Sequence, residues 1–156
     1  MKIIADTREI SPLSFRIGGA LTEVVRSKLD VGDYRAQYTD GTYSDTVFER
    51  KSLGDLYGTM TSGYQRFKKE LTRSRNSNIN LILIVECSFS EVASGYEHST
   101  WEGGSMIKKL GTMWFKHALP VLFMNGRDDM AGFIVSYFTA EGYAKIRKGE
   151  GNEKKR

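Results

Sequence analysis

Cysteine is almost missing from this sequence, since Cys87 is the only one among 156 residues. A single thiol cannot form a disulfide within the chain, and it offers no zinc site. A disulfide-stapled domain is therefore excluded, and a reducing, cytosolic compartment is the expectation.

Long apolar runs are also missing, the longest being Leu81 to Val85. A membrane-spanning helix needs about 20 apolar residues. The apolar start of the chain is cut short by Asp6 and Arg8, so we expect neither a signal peptide nor a membrane partner. A glycine-rich phosphate loop is absent as well, because Gly103-Gly104-Ser105 lacks the lysine of such a loop. This disfavours a nucleotide-binding α/β protein, and no nucleotide cofactor is expected.

Charge is nearly balanced, with 23 lysines and arginines against 19 aspartates and glutamates and a net charge of +4. This modest excess suits a polyanionic partner. The cations are unevenly spread, crowding residues 66–75, where Glu70 is the one acid, and residues 145–156. A solvated helix face and a frayed chain end are the alternatives to DNA contact in these two segments.

The hydrophobic pattern switches repeatedly between strand and helix periods, which predicts an α/β fold. With 40% apolar residues the chain fits one domain, expected at residues 1–148, followed by a basic, disordered tail at 149–156. The pattern predicts strands at 2–5, 31–38, 43–51, 81–85 and 120–124, and helices at 21–29, from Ser52 onward, at 106–114 and at 128–148.

Acidic and basic side chains converge in the middle of the chain. Glu49 and Lys51 lie two residues apart on a predicted strand, so they share one face, and Arg50 takes the other. Asp33 would join that face from the neighbouring strand if the turn between the strands were centred near Gly41, or if a bulge restored the register. Two carboxylates and a lysine suit Mg²⁺-assisted phosphodiester hydrolysis. A solvated Glu-x-Lys ion pair is the simpler alternative.

Three motifs carry a resemblance to a known family: Asp6-Thr7-Arg8-Glu9, Gly32-Asp33-Tyr34, and Glu49-Arg50-Lys51 followed by Asp55. In this order and spacing they resemble the XPF family of structure-specific endonucleases, a branch of the restriction-endonuclease-like superfamily. The resemblance covers roughly residues 2 to 88 and weakens from there to about 140. It implies an α/β fold with a restriction-endonuclease-like mixed central sheet flanked by helices.

The resemblance also implies roles for individual residues. Asp33 and Glu49 would hold Mg²⁺, for which Mn²⁺ would substitute, and Lys51 would be the catalytic lysine. Asp6 would be a further metal ligand, with Arg8, Glu9 and Arg50 beside the site. Asp55 belongs to the motif, but Ser52-x-x-Asp55 also has the form of a helix cap. Apart from the resemblance, the basic segment 66–75 leads us to expect contacts to the phosphate backbone of DNA from Arg66, Lys68, Lys69 and Arg73.

The expected activity is Mg²⁺-dependent cleavage of branched, flap or fork DNA, and the alternative is a catalytically silent DNA-binding subunit. No tandem helix-hairpin-helix domain follows in this sequence, so the resemblance is to small stand-alone nuclease domains, such as those in phage genomes. The cytosol of a prokaryote or of a phage-infected host is the expected location. A homodimer is also expected, through an apolar stripe of the last helix formed by Phe133, Ile134, Tyr137, Phe138 and Ala144.

Overall fold

The computed structural model describes the backbone of residues 1–153 and the side chains of residues 1–147. The strands are β1 (Lys2–Ala5), β2 (Glu23–Arg26), β3 (Tyr34–Gln37), β4 (Tyr43–Ser52), β5 (Asn80–Glu86) and β6 (Val121–Phe123). The helices are α1 (Leu53–Met60), α2 (Tyr64–Asn76), α3 (Phe89–Ser94), α4 (Gly103–His117) and α5 (Arg127–Glu153). None of the described helices is long and apolar enough to span a membrane.

The six strands form one mixed sheet in the order β2-β1-β3-β4-β5-β6. The pairs β1–β2, β4–β5 and β5–β6 are parallel, and β1–β3 and β3–β4 are antiparallel. Residues of α1, α2, α3 and α4 pack on one face, and α5 packs on the other. Strand β5 is buried on both faces, with Leu83 in the first core and Ile84 in the second, which explains its unbroken apolar run.

The prediction of a helix at residues 21–29 is wrong. Glu23–Arg26 is strand β2, which pairs in parallel with β1. Leu21 and Leu29 are buried, but Val24 and Val25 between them are only half-buried at the edge of the sheet. Two adjacent β-branched residues favour a strand, and pairing with β1 outweighs the helical spacing of the apolar residues.

The β3–β4 hairpin has the register that the site requires. Tyr34 pairs with Phe48 and Arg35 with Val47, which centres this part of the hairpin on Gly41. Nearer the turn the pairing shifts, and Gln37 pairs with Tyr43. The pairing next to the turn centres on Asp40, and the bulge moves the centre to Gly41. The expected bulge is therefore present, and it brings Asp33 to the end of β4 where Glu49 lies.

The last helix extends beyond its predicted end, because α5 runs from Arg127 to Glu153. Its residues 149–153 fall within the predicted tail. Residues 154–156, and the side chains from residue 148 onward, lie outside the described part of the chain. Disorder of the tail therefore stays a prediction.

Candidate active site

An open cavity of about 700 Å³ lies at the end of β4, between the start of β3 and helices α1 and α2. Strand alternation places Glu49 and Lys51 on the same face of β4. Asp33, the residue before β3, lines the same cavity beside them. Of the residues predicted for the site, the cavity is lined by Arg8, Glu9, Asp33, Glu49, Arg50, Lys51, Asp55, Arg66 and Arg73. The structure thus brings most of the predicted set together.

Asp33 is fixed by backbone contacts with β4. Its amide donates to the Phe48 carbonyl at 2.8 Å, and its Oδ2 accepts a hydrogen bond from the Arg50 amide at 2.8 Å. The residue before it, Gly32, has φ +69°, and a Cβ there would lie 2.1 Å from the Val47 side chain. Glycine is therefore required to turn the chain tightly against β4 and to aim Asp33 at the cavity.

The half-buried Asp33 carboxylate is close enough to the buried Glu49 carboxylate to act on its charge. Burial, and next the Asp33 charge, raise the pKa of Glu49 to about 8. Burial also raises the pKa of Asp33 to about 6, although the Arg50 amide opposes this shift. Lys51 Nζ donates to Glu49 Oε1 at 2.5 Å. Burial disfavours the lysine charge, but Glu49 raises the pKa of Lys51 overall.

These residues fit a magnesium ion. Mg²⁺ prefers hard oxygen ligands, keeps several waters, and is commonly held by one or two carboxylates together with substrate phosphates. Asp33 and Glu49 supply two such carboxylates in an open cavity, and burial is the largest cause that raises the pKa of each. Among the described residues, no group of three acidic, histidine or cysteine side chains could hold a metal ion. At this site the carboxylates of Asp33 and Glu49 would be the two protein ligands.

Asp6 plays a structural part near the site. Its Oδ1 accepts from the amide and Nε of Arg8, and its Oδ2 accepts from Arg8 and from the Leu29 amide at 2.6 Å. Burial opposes its charge, yet the hydrogen bonds from Arg8 and the backbone lower the pKa of Asp6. Both oxygens are engaged, and Asp6 does not line the cavity. Its role as a metal ligand stays a prediction.

Arg50 points away from Glu49 and Lys51, as the strand alternation predicted. Its guanidinium bridges Glu9 at 3.1 Å and Glu86 at 2.5 Å, and Arg127 also contacts Glu86 at 3.0 Å. This network ties the ends of β4 and β5 to the loop after β1 and to the start of α5. Arg50 and Glu9 therefore brace the wall of the cavity.

Asp55 lies in the first turn of helix α1, which Ser52 caps, and it also lines the cavity. Its amide donates to Ser52 Oγ at 3.1 Å, and its carboxylate accepts from the same hydroxyl at 2.7 Å. The Ser52 cap is therefore present, but the Asp55 carboxylate accepts from the Ser52 hydroxyl and not from a backbone amide as in a full capping box. Because Asp55 faces the cavity as well, a second role beside the metal stays a prediction.

Glu70 is a cavity residue that the sequence reasoning did not assign. It reaches from α2 to accept a hydrogen bond from the Gly32 amide at 3.1 Å, and it lines the cavity beside Asp33 and Glu49. The sequence offered one signal for this residue, because Glu70 is the only acid in the basic segment 66–75.

The four residues predicted to contact DNA do not all face the cavity. Arg66 and Arg73 line it, and Lys68 and Lys69 do not.

Fold and site together define a restriction-endonuclease-like α/β domain with a carboxylate and lysine centre. A family model, the ERCC4 domain, matches residues 5–137. The match covers most of the chain, so the protein belongs to the ERCC4 domain family. Among curated proteins, none matches the chain in sequence.

Solved structures of XPF share the fold. XPF from Aeropyrum pernix superposes with a TM-score of 0.64 at 16% identity, over 95% of this chain and 69% of that one. XPF from Aeropyrum pernix in complex with DNA gives a TM-score of 0.63 at 18% identity, over 86% of this chain. This chain spans only 62% of the length of that DNA-bound protein. The expected resemblance and the restriction-endonuclease-like fold are confirmed.

Proposed function

We propose that this protein is a Mg²⁺-dependent, structure-specific DNA endonuclease. The observation that carries the proposal is the convergence of Asp33, Glu49 and Lys51 in one open cavity that Arg66 and Arg73 flank. Membership of the ERCC4 domain family and the fold shared with XPF support endonuclease activity in general.

Each residue has a defined task in this proposal. Asp33 and Glu49 would hold the metal, which when bound supplies a water of lowered pKa and positive charge near the scissile phosphate. Lys51, already protonated beside Glu49, would donate hydrogen bonds to the phosphate as negative charge develops. Arg66 and Arg73, which lie two helical turns apart on α2, would hold backbone phosphates at the mouth of the cavity. Mn²⁺ would substitute for Mg²⁺, because it also accepts oxygen ligands.

Branched, flap or fork DNA is the proposed substrate, and the cytosol of a prokaryote or of a phage-infected host is the proposed location. The cavity is open, and Arg66 and Arg73 line it from α2, where they would contact the DNA backbone. One XPF structure was obtained with DNA. The alternative is a catalytically silent DNA-binding subunit. The intact set of Asp33, Glu49 and Lys51 favours the active enzyme, because a silent subunit has no need to keep two carboxylates and a lysine together in one cavity.

The test is incubation of the protein with labelled linear, flap, fork and four-way DNA, each with Mg²⁺, with Mn²⁺ or with EDTA. We expect cleavage of the branched DNAs with either metal and none with EDTA. Glu49→Gln should remove most cleavage and leave DNA binding nearly intact. Glu23→Gln, which changes an exposed glutamate on β2, is the matched control and should cut normally. Normal cleavage by the Glu49 variant would refute the mechanism, and binding without cleavage by the wild type would favour the silent subunit.

A further inference from the structure

A second basic surface lies on the side of α2 that faces α4. Lys68 and Arg75 lie two turns apart on α2, and Lys109 and Lys116 lie two turns apart on α4, so each pair shares one side of its helix. These four residues form what we call the α2–α4 surface. None of them lines the active-site cavity.

The two helices are joined by contacts between cations and rings. Lys109 Nζ lies 3.2 Å from the centre of the Tyr64 ring, and Lys68 Nζ lies 5.6 Å from it. Arg75 donates to Nδ1 of His117 at 3.1 Å. Tyr64 and His117 thus hold the cations of both helices close together, and the aromatic face of Tyr64 offsets part of their repulsion.

Positive charge accumulates at this surface without acidic partners. Helix α4 has no acidic residue, and Glu70, the one acid of α2, turns into the cavity. Among the described side chains, no ion pair involves any of the four cations. Burial and the nearby charges of Arg75, Lys68, Lys116 and Lys109 lower the pKa of His117. Four cations held together in this way suit a regularly spaced polyanion.

We propose that the α2–α4 surface binds the phosphate backbone of a second duplex arm of the DNA substrate, an arm that leaves the cavity across α2. This inference rests on the proposed function. A helix is about 10–12 Å wide, so such an arm passes α2 within roughly three to four base pairs of the cavity mouth. The cavity side of α2 then holds the cleaved strand, and its opposite side, together with α4, holds the second arm.

The test measures DNA binding in EDTA over a range of salt concentrations. It uses a fork with one arm that extends well past α2 and a fork whose corresponding arm is too short to cross it. The Lys109→Gln/Lys116→Gln variant removes two charges from α4. The control, Arg16→Gln/Arg147→Gln, removes two exposed charges from segments packed on the opposite face of the sheet. Thermal unfolding confirms that each variant is folded.

On the long-armed fork, the affinity of the Lys109→Gln/Lys116→Gln variant should depend less on salt than that of the wild type. The magnitude of the slope of log K against log salt concentration should fall by about 0.9 for each phosphate contact that is lost. On the short-armed fork this variant should match the wild type, and the control should match the wild type on both. Equal slopes for the α4 variant and the wild type on the long-armed fork would overturn the proposal. An equal loss of slope on both forks would also overturn it. Metal-dependent cleavage by the wild type is measured separately. If the wild type never cuts DNA but its salt slope still depends on the long arm, the endonuclease proposal is refuted and the proposal for the α2–α4 surface stands.

Discussion

Glu49 is under two opposing demands, because it is only 6% exposed and yet would have to carry negative charge in the proposed mechanism. Burial and the Asp33 carboxylate disfavour its ionised form, while Lys51 favours that form. The pKa of Glu49 is raised even beside Lys51, so its ionisation costs stability unless a further cation binds. Occupancy of the metal site and folding stability should therefore be linked through this one side chain.

The first prediction is a dependence of stability on pH. An acid whose pKa is higher in the folded state binds its proton more tightly there, so its stabilising effect is present at low pH and is lost as pH rises. For Glu49 this window runs from the ordinary value of 4.5 to about 8, and for Asp33 from 3.8 to about 6. The metal-free melting temperature should fall across this range, and Mg²⁺ should restore it most at the alkaline end. Thermal unfolding in EDTA and in Mg²⁺ measures this effect, and Glu49→Gln should flatten the curve. A variant curve as steep as that of the wild type would contradict the assignment.

The second prediction concerns Glu70, whose carboxylate accepts from the Gly32 amide next to Asp33. We expect Glu70 to be a positioning residue that acts through Asp33. Glu70→Gln keeps an oxygen for the Gly32 amide and should retain substantially more cleavage than Glu70→Ala. Glu70→Ala should also need more Mg²⁺ for half-maximal cleavage, because a displaced Asp33 binds the metal less well.

Glu102→Ala is the matched control for Glu70→Ala, because Glu102 is an exposed acid that lies outside the cavity. The Mg²⁺ titration separates positioning from a general loss of stability, which would lower activity without changing the metal requirement. Equal Mg²⁺ requirements for Glu70→Ala and the wild type would contradict this role.

The helices and strands that could be predicted from the sequence are those whose residue pattern lies within one short segment of the chain. Helix α1 follows strand β4 directly in the sequence. The alternation of side chains along β4 and the Ser52 cap of α1 were therefore enough to predict the positions of Glu49, Lys51 and Asp55. The contact of Glu70 with Gly32 joins residues 38 apart in sequence and depends on how α2 packs. Strand β2 was mistaken for a helix because its conformation is decided by pairing with β1.

The third prediction concerns the turn that enters β3. Gly32→Ala puts a Cβ at φ +69° and within 2.1 Å of the Val47 side chain, so the turn must shift and Asp33 must move with it. We expect a loss of about 1–3 kcal/mol in stability and loss of cleavage. Gly111→Ala, in open space on α4, is the control and should be neutral or slightly stabilising. Thermal unfolding and cleavage assays measure both variants, and a fully active Gly32 variant would show that the turn does not fix Asp33.

Across the whole molecule, the sheet separates the candidate active site from α5. The apolar stripe expected to form a dimer contact is used mostly within the chain. Ile134 and Phe138 are fully buried, and Phe133, Tyr137 and Phe138 all place their rings edge-on against Phe48. Ala144 is exposed. Homodimerisation stays a prediction, and the apolar surface that α5 leaves for it lies nearer its end.

The fourth prediction is that the protein forms a dimer at micromolar concentration through the end of α5. Tyr143 is 64% exposed and Ile146 is 60% exposed, three residues apart on the same side of the helix. A twofold contact would bury this pair against its copy. Tyr143→Ser/Ile146→Ser should therefore sediment as a monomer where the wild type sediments as a dimer. Because α5 packs on the face opposite α1 and α2, the variant should keep metal-dependent cleavage of short DNA. Trp114→Ser/Phe115→Ser changes the exposed aromatic pair on α4 and should leave the dimer intact. A wild type that sediments as a monomer and still cuts branched DNA would end the dimer prediction and leave the endonuclease proposal untouched.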